Sequence, residues 1–424
     1  MAEKKLLLDI HESPELGKGL LLSMQHVFAM FGATILVPLL LKMSVSTALL
    51  ASGIGTLIYM ISTRFSVPVY LGSSFAYISA VAFAKEQMGG DISAAQTGII
   101  LVGLIYVLVA IIVTKTGTGW IDRLLPPIVI GPMIIVIGLG LANTAVTGAG
   151  FVKDGDWRHM LVAGISAAVA VLIQTKGKGF VKVIPFLIAI VCGYIAAALL
   201  GLVDFTPVKE AAWFALPTIS LPFKTGIRSF GSYHFYFGAE ALAILPIAVV
   251  TIAEHIGDHM VLGEITGRQF LKSPGLHRTL TGDGIATAFS ALIGGPANTT
   301  YGENTGIVGM TRIASVSVIR NAAFIAIAIS FCAKFTALIS TIPSAVLGGM
   351  SIILYGVVAS NGLKVLIRNR VDFNQSRNLV IASVMLVLGL GGAVLQIGSS
   401  LLISGTALAA IVGVVLNLIL PKED

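Results

Sequence analysis

Three carboxylates fall where a bilayer would leave them without water: Glu254, Asp258 and Glu303. Glu254 and Asp258 are four residues apart, so on a helix they share one face. Glu303 lies in Asn298-Thr299-Thr300-Tyr301-Gly302-Glu303-Asn304-Thr305-Gly306, a polar stretch with apolar sequence on both sides. Ionisable groups at such depth are costly and mark substrate or proton pathways. Acids taken out of water and set near one another can exchange protons near neutral pH. An earlier break, Gly72-Ser73-Ser74-Phe75, interrupts apolar sequence in the same way. A helix that starts in mid-membrane presents unpaired N–H groups and a positive dipole end. The N–H groups of Phe75, and of Gly302 or Glu303, therefore offer donors, and the carboxylates of Glu254 and Glu303 offer acceptors. Donors and acceptors together suit a small planar molecule with alternating C=O and N–H, as in a pyrimidine or purine base. A simple anion suits them poorly, because the acids would repel it.

Such a site needs a scaffold, and composition supplies its class. The chain has 424 residues, 56% apolar and 11% charged. That charged share is less than half the soluble average of about 25%. Long apolar stretches recur throughout, which predicts an integral membrane protein. Spans of about 20 residues with short loops favour helices over a barrel. Fourteen segments are expected near 19–41, 47–63, 68–85, 96–115, 127–145, 159–174, 181–203, 238–257, 279–294, 298–314, 317–338, 343–360, 377–394 and 399–420. The third and tenth carry the two breaks, and broken backbone is tolerated at that depth only inside protein or along a cavity.

Loop charges give a topology. With a cytoplasmic N-terminus, 19 of the 27 Lys and Arg residues fall on the inner side, Lys4, Lys5 and Lys422 among them. The outer side holds eight, including Lys42, Lys209, Lys224 and Arg228. This bias supports both termini inside and an even span count. The two halves also echo each other. Gly53-Ile54-Gly55-Thr56 matches Gly284-Ile285-Ala286-Thr287, and each precedes a proline, Pro68 or Pro296, and then a break. Gly131-Pro132-Met133-Ile134-Ile135 matches Gly348-Gly349-Met350-Ser351-Ile352. Matching segments are seven apart, an odd number, so the second half is inverted. Inverted repeats with interrupted helices at equivalent positions point to a secondary transporter with its site near the midplane.

The remaining polar and special residues are weighed against that expectation. Gln25-His26, in the first span, either lines the cavity or braces helices through hydrogen bonds. Tyr355 either reaches the cavity or is a core tyrosine. His255 and His259 have metal-site spacing, but the zinc hydrolase motif needs Glu directly after the first His, and Ile256 stands there. No metal or cofactor is expected. Cys192 and Cys332 read as small buried hydrophobes, and Trp120, Trp157 and Trp213 as interfacial anchors. The first 17 residues contain no signal peptide, since Leu6-Leu7-Leu8 is too short. The net charge of +7 resides in loops, so topology accounts for it and nucleic acid is not an expected partner.

Glu303-Asn304-Thr305-Gly306-Ile307-Val308-Gly309-Met310-Thr311-Arg312 fits the signature [Q/E/P]-N-x-G-x-x-x-x-T-[R/K/G]. The chain is thereby identified as resembling the nucleobase–ascorbate transporter (nucleobase:cation symporter-2) family. Gln25-His26, Leu71-Gly72-Ser73-Ser74-Phe75 and Ala253-Glu254-His255-Ile256-Gly257 extend the resemblance over nearly the whole length. Glu at the first signature position resembles the bacterial proton-coupled uracil members, whereas purine members often carry Gln. The resemblance implies an all-α polytopic protein of fourteen segments in two inverted repeats of seven. Short antiparallel strands in the third and tenth segments would meet at the substrate. It further implies a cytoplasmic tail (1–17), a core domain (18–115 and 238–338), a gate domain (116–205 and 339–424) and an extracellular connection (206–237).

On that pattern Glu254 and Glu303 hold the base, with N–H groups of Phe75 and Gly302. Ala33 and Tyr301 shape the pocket. Gln25, His26, Ser74, Asn304 and Tyr355 support it. Glu254, Asp258 and Glu303 couple the proton. One departure is Asp258, where some uracil members carry His; an acid must then do that work. The expected activity is uracil import by proton symport across the cell (inner or plasma) membrane, the core moving against the gate. The expected partners are the base, protons and the lipid bilayer, with a homodimer through the gate domain. Rivals are a xanthine, uric acid or sodium-coupled carrier, an anion carrier of the same architecture, a membrane-embedded hydrolase and a channel.

Overall fold

The structure is a computed structural model that describes residues 6–227, 230–397 and 401–421. Lys4, Lys5, Arg228 and Lys422, used above for the topology, lie outside the described residues. A helix forms in each expected segment. In the first half these are α1 (Leu16–Leu40), α2 (Val45–Ser62), α3 (Ile78–Gln87), α4 (Ser93–Thr116), α5 (Pro127–Gly140), α6 (Trp157–Lys176) and α7 (Pro185–Leu199). In the second half they are α8 (Ile247–Thr266), α9 (Leu276–Leu292), α10 (Gly302–Thr311), α11 (Val316–Ser330), α12 (Ser344–Arg368), α13 (Ser376–Leu390) and α14 (Gly405–Ile419). Among the described residues, seven helical stretches are long and apolar enough to cross a membrane. The protein is thus a mostly helical, multi-pass membrane protein.

Local chemistry explains several helix ends. Ser44 accepts a hydrogen bond from the N–H of Thr47 and caps α2, and Asp156 accepts from Arg158 and caps α6. Both satisfy N–H groups that a helix leaves open. Pro127 and Pro185 begin α5 and α7, where proline's missing N–H costs nothing. Gly267, in the left-handed region, closes α8 and returns its N–H to Gly263.

The two polar breaks are short strands, β1 (Leu71–Ser73) and β2 (Asn298–Thr300), paired antiparallel with Gly72 opposite Thr299. Both are buried, so every backbone group needs a partner inside the protein. The repeated Gly-Ile-x-Thr motifs supply some of them. Thr56 of α2 takes the N–H of Leu71, and Thr287 of α9 donates to the carbonyl of Asn298. Asn298 in turn donates to the carbonyls of Ala51 and Ala286. The glycines of the same motifs permit close packing: a Cβ on Gly53 would meet the carbonyl of Ala323 in α11 at 2.6 Å. One on Gly284 would meet that of Gly103 in α4 at 2.6 Å.

Packing follows from these contacts. α9 lies against α2 and α4, and α2 against α11, with α1 on α11 and α10 on α1 and α8. α5 lies against α12, α13 and α14, and α6 against α7 and α12. The two sets touch along α1 with α7 and along α8 with α5 and α14. Arg368 of α12 also donates to Glu264 near the end of α8.

Two features depart from the expected pattern. Between α13 and α14 an antiparallel pair, β3 (Val394–Ile397) with β4 (Leu401–Ser404), replaces helix expected from 399. A run of β-branched and Leu residues beyond Gly391-Gly392 suits strand as well as helix, and apolarity alone does not separate them. The eighth segment is displaced: a short helix at Ala239–Leu242 precedes α8, which runs on to Thr266. The tail before α1 packs against the protein. Ile10 is buried, the N–H of Ala314 donates to Leu8, and Asp9 pairs with Arg268 at 2.6 Å.

Candidate functional site

The strand pair fixes the two helix starts beside each other. The N–H of Ser74 donates to Ala297 at 2.8 Å and that of Tyr301 to Tyr70 at 3.1 Å. Phe75 then opens a single 3-10 turn leading into α3, and Gly302 opens α10. Their N–H groups stand at the starts of helical segments, where no intrahelical acceptor exists. α8 packs against the Phe75 turn, β2 and α10, and Tyr77 is tied to Thr251 of α8 by a 2.8 Å hydroxyl contact.

This arrangement brings the three acids together. Glu254 interacts through space with Asp258 and Glu303, and Asp258 with Glu303. A Cβ placed on Gly302 would lie 3.8 Å from Oδ1 of Asp258. The other oxygen, Oδ2, accepts from Thr300 Oγ1 at 2.5 Å. Among the described residues no side chain is hydrogen-bonded to the carboxylate of Glu254 or of Glu303. All three acids are half-buried.

Tyr301 packs on Gly72 beside the strand pair. The Tyr301 hydroxyl donates to the Ser73 carbonyl at 2.9 Å and accepts from Thr34 at 3.1 Å. Its ring lies so close to Gly72 that a Cβ there would sit 2.5 Å from it. Ala33 is buried in α1 beside Thr34. Tyr355 of α12 is buried and meets the Phe75 ring edge-on, with centroids 6.1 Å apart. Ser74 is buried with a hydroxyl that has no partner among the described residues.

His26 is tied to Asn304. Nδ2 of Asn304 donates to its carbonyl at 3.0 Å and lies 3.1 Å from its Nδ1, joining α10 to α1. Gln25 beside it is half-buried. His255 and His259 are likewise engaged with protein. His255 Nδ1 pairs with Asp283 of α9 at 2.8 Å. His259 Nδ1 meets the His255 carbonyl at 2.6 Å, and its Nε2 meets the Tyr59 hydroxyl at 2.5 Å. The two imidazoles stack with centroids 4.1 Å apart.

Asp283 is the residue that the spacing of acids missed. It lies within the ninth segment, and the signal was there: an acid in Gly282-Asp283-Gly284, inside an expected span. It stands on a different helix from its histidine, 28 residues away, so no short motif links them.

A cavity of about 540 Å³ reaches Tyr355 and Ser351 but does not include the acids. A second, of about 430 Å³, lies at the C-terminal end of α8 around His259, Glu264, Arg268 and Lys272.

Comparison with known proteins agrees with this architecture. The family model Xan_ur_permease, described as a permease family, matches residues 17–398. The uracil permease of Bacillus caldolyticus is 51% identical over 420 residues, covering 98% of this chain and 95% of that protein. The uracil permease of Bacillus subtilis is 48% identical, covering 100% and 97%. That of Escherichia coli K12 is 42% identical, covering 97% and 93%. The transmembrane domain of the cyanobacterial bicarbonate transporter BicA superposes with TM-score 0.63 at 15% identity, covering 96% of this chain and 99% of that one. SLC26A9 superposes with TM-score 0.69 at 12% identity, covering 95% and 64%. At those identities the likeness is one of fold. The chain belongs to this permease family, the nucleobase transporters whose signature it carries at Glu303–Arg312, and is a transporter, not an enzyme.

Proposed function

We propose that the protein imports uracil together with a proton. Full-length identity of about half to proteins named uracil permeases supports uracil over other bases. The single observation that carries the site is the β1–β2 pairing, which sets two helix starts beside three acids. In this reading the N–H groups of Phe75 and Gly302 donate to the carbonyl oxygens of the base. Glu254 and Glu303 accept from its ring N–H groups. Tyr301 and Ala33 limit the pocket, Tyr355 supports the Phe75 side, and Ser74, Gln25, His26 and Asn304 hold the broken segments in place.

Uracil is neutral, so the membrane potential alone does not concentrate it. One co-transported proton adds about 2.3 kcal/mol per 100 mV. That supports a gradient of roughly 40-fold before any pH difference. Glu254 or Asp258 takes the proton from outside, which lowers the charge beside Glu303 and permits the hydrogen-bond pattern that holds the base. Release of the proton inside loosens it.

The moving part is a core of α1–α4 and α8–α11, and the frame is a gate of α5–α7 and α12–α14. The limited contact between the two helix sets supports that division. The matched roles of Thr56 and Thr287 support two inverted repeats of seven segments. We further infer cytoplasmic termini from the loop charges, and a homodimer through the gate from the family resemblance. Uptake of labelled uracil in whole cells tests the function. It should saturate, be displaced by unlabelled uracil and collapse with a proton uncoupler. Displacement by xanthine but not uracil, or dependence on sodium, would favour the rival carriers.

A further inference from the structure

The cavity of about 540 Å³ has a chemistry of its own. It is lined at one end by Leu39, Asn143, Thr147 and Ser344, and at the other by Ser351 and Tyr355. Among the described residues no charged side chain lines it. Ser344 opens α12, and Tyr355 is eleven residues further along. At 1.5 Å per residue the cavity follows α12 for about 16 Å, roughly half the thickness of a hydrocarbon core of about 30 Å. At its inner end the Tyr355 ring touches that of Phe75, so it shares a wall with the site of the acids.

Ser351 and Tyr355 are 1% and 2% exposed, and they stand one turn apart. Among the described residues the two hydroxyls interact only with each other. A hydroxyl pair with no other partner keeps unused capacity, and a ligand bearing C=O and N–H groups would fill it. The Asn143 amide adds one acceptor and two donors. An anion or cation finds no counter-charge here, whereas a neutral, hydrogen-bonding ring finds both donors and acceptors.

We propose that this cavity is a second binding site, an antechamber that holds a neutral nucleobase before it passes Tyr355 and Phe75 to the acids. It rests on the reading of the acids as the principal base site. Its lining is neutral, so it binds more weakly and does not need a proton.

Equilibrium dialysis of labelled uracil against the detergent-solubilised full chain tests it. Wild type should bind two uracils per chain, one tightly and one weakly. Glu303→Ala should lose the tight site and keep the weak one. The double variant N143A/S351A should lose the weak site and raise the KM for uptake roughly fivefold, the value of one neutral hydrogen bond. Saturation of wild type at a single uracil, a result that needs no variant, would overturn the antechamber. So would a weak site that survives in N143A/S351A. Failure of the principal reading looks different: wild type would neither take up uracil nor bind it at either site.

Discussion

Two faces of α8 carry similar residues and do opposite things. Toward β2 and α10 stand Glu254 and Asp258, half-buried, with one fixed hydrogen bond, from Thr300, between them. Toward α2 and α9 stand His255 and His259, fully buried, each tied to a named partner. The residues alternate along a single turn of helix, so spacing cannot distinguish them. What separates the faces is their surroundings. The histidine face is sealed against α2 and α9, with His255 Nε2 and Asp283 Oδ1 left without partners among the described residues, whereas the acid face adjoins the break in the backbone, where the proposed ligand would complete it.

Substitutions on the two faces should therefore fail in different ways. The largest effect is expected from Asp283→Ala on the sealed face. It leaves His255 without its buried partner and should cost about 3–5 kcal/mol of stability, read as a lower thermal midpoint or loss of folded protein in detergent. Glu254→Ala and Glu303→Ala, on and opposite the open face, should leave that midpoint nearly unchanged. They should weaken uracil binding about 100-fold, the value of a hydrogen bond to a charged group, and abolish uptake. If either glutamate variant unfolds as Asp283→Ala does, the contrast between the faces is lost.

Gly72→Ala comes next. The new Cβ meets the Tyr301 ring and Thr34 Oγ1 at 2.5 and 2.7 Å, and overpacking of that kind costs about 1–3 kcal/mol. Because the proposed site puts Tyr301 and Gly72 beside the base, affinity should fall along with stability. Thr300→Val removes the one hydrogen-bond partner that Asp258 has among the described residues and should cost about 1 kcal/mol, with a changed dependence of uptake on external pH. The smallest effect belongs to the exposed pair at the far end of the same helix. Arg368→Gln, which breaks the link to Glu264, should shift the midpoint by less than about 1 kcal/mol.

Much of this was legible in the residues. The fourteen apolar segments, the two polar breaks and the matched Gly-Ile-x-Thr motifs all stand out because a membrane punishes polar backbone and rewards small residues at contacts. The acids at 254, 258 and 303 stand out for the same reason. What the sequence hid depends on tertiary pairing. Asp283 finds His255 only because α9 crosses α8. Thr34 finds Tyr301 across 267 residues. His26 was ambiguous between cavity and brace until Asn304 was seen to hold it. The β3–β4 pair was hidden by composition, since Val394-Leu395-Gln396-Ile397 is as apolar as the helices that flank it.

The central claim is that the half-open acids beside the paired strands hold an uncharged base. Thermal unfolding of purified wild type and Glu303→Ala, each with and without saturating uracil, tests it most directly, because a ligand that binds only the folded state raises its midpoint. The account predicts that uracil raises the wild-type midpoint and raises that of Glu303→Ala far less. Equal stabilisation of both by uracil would contradict it.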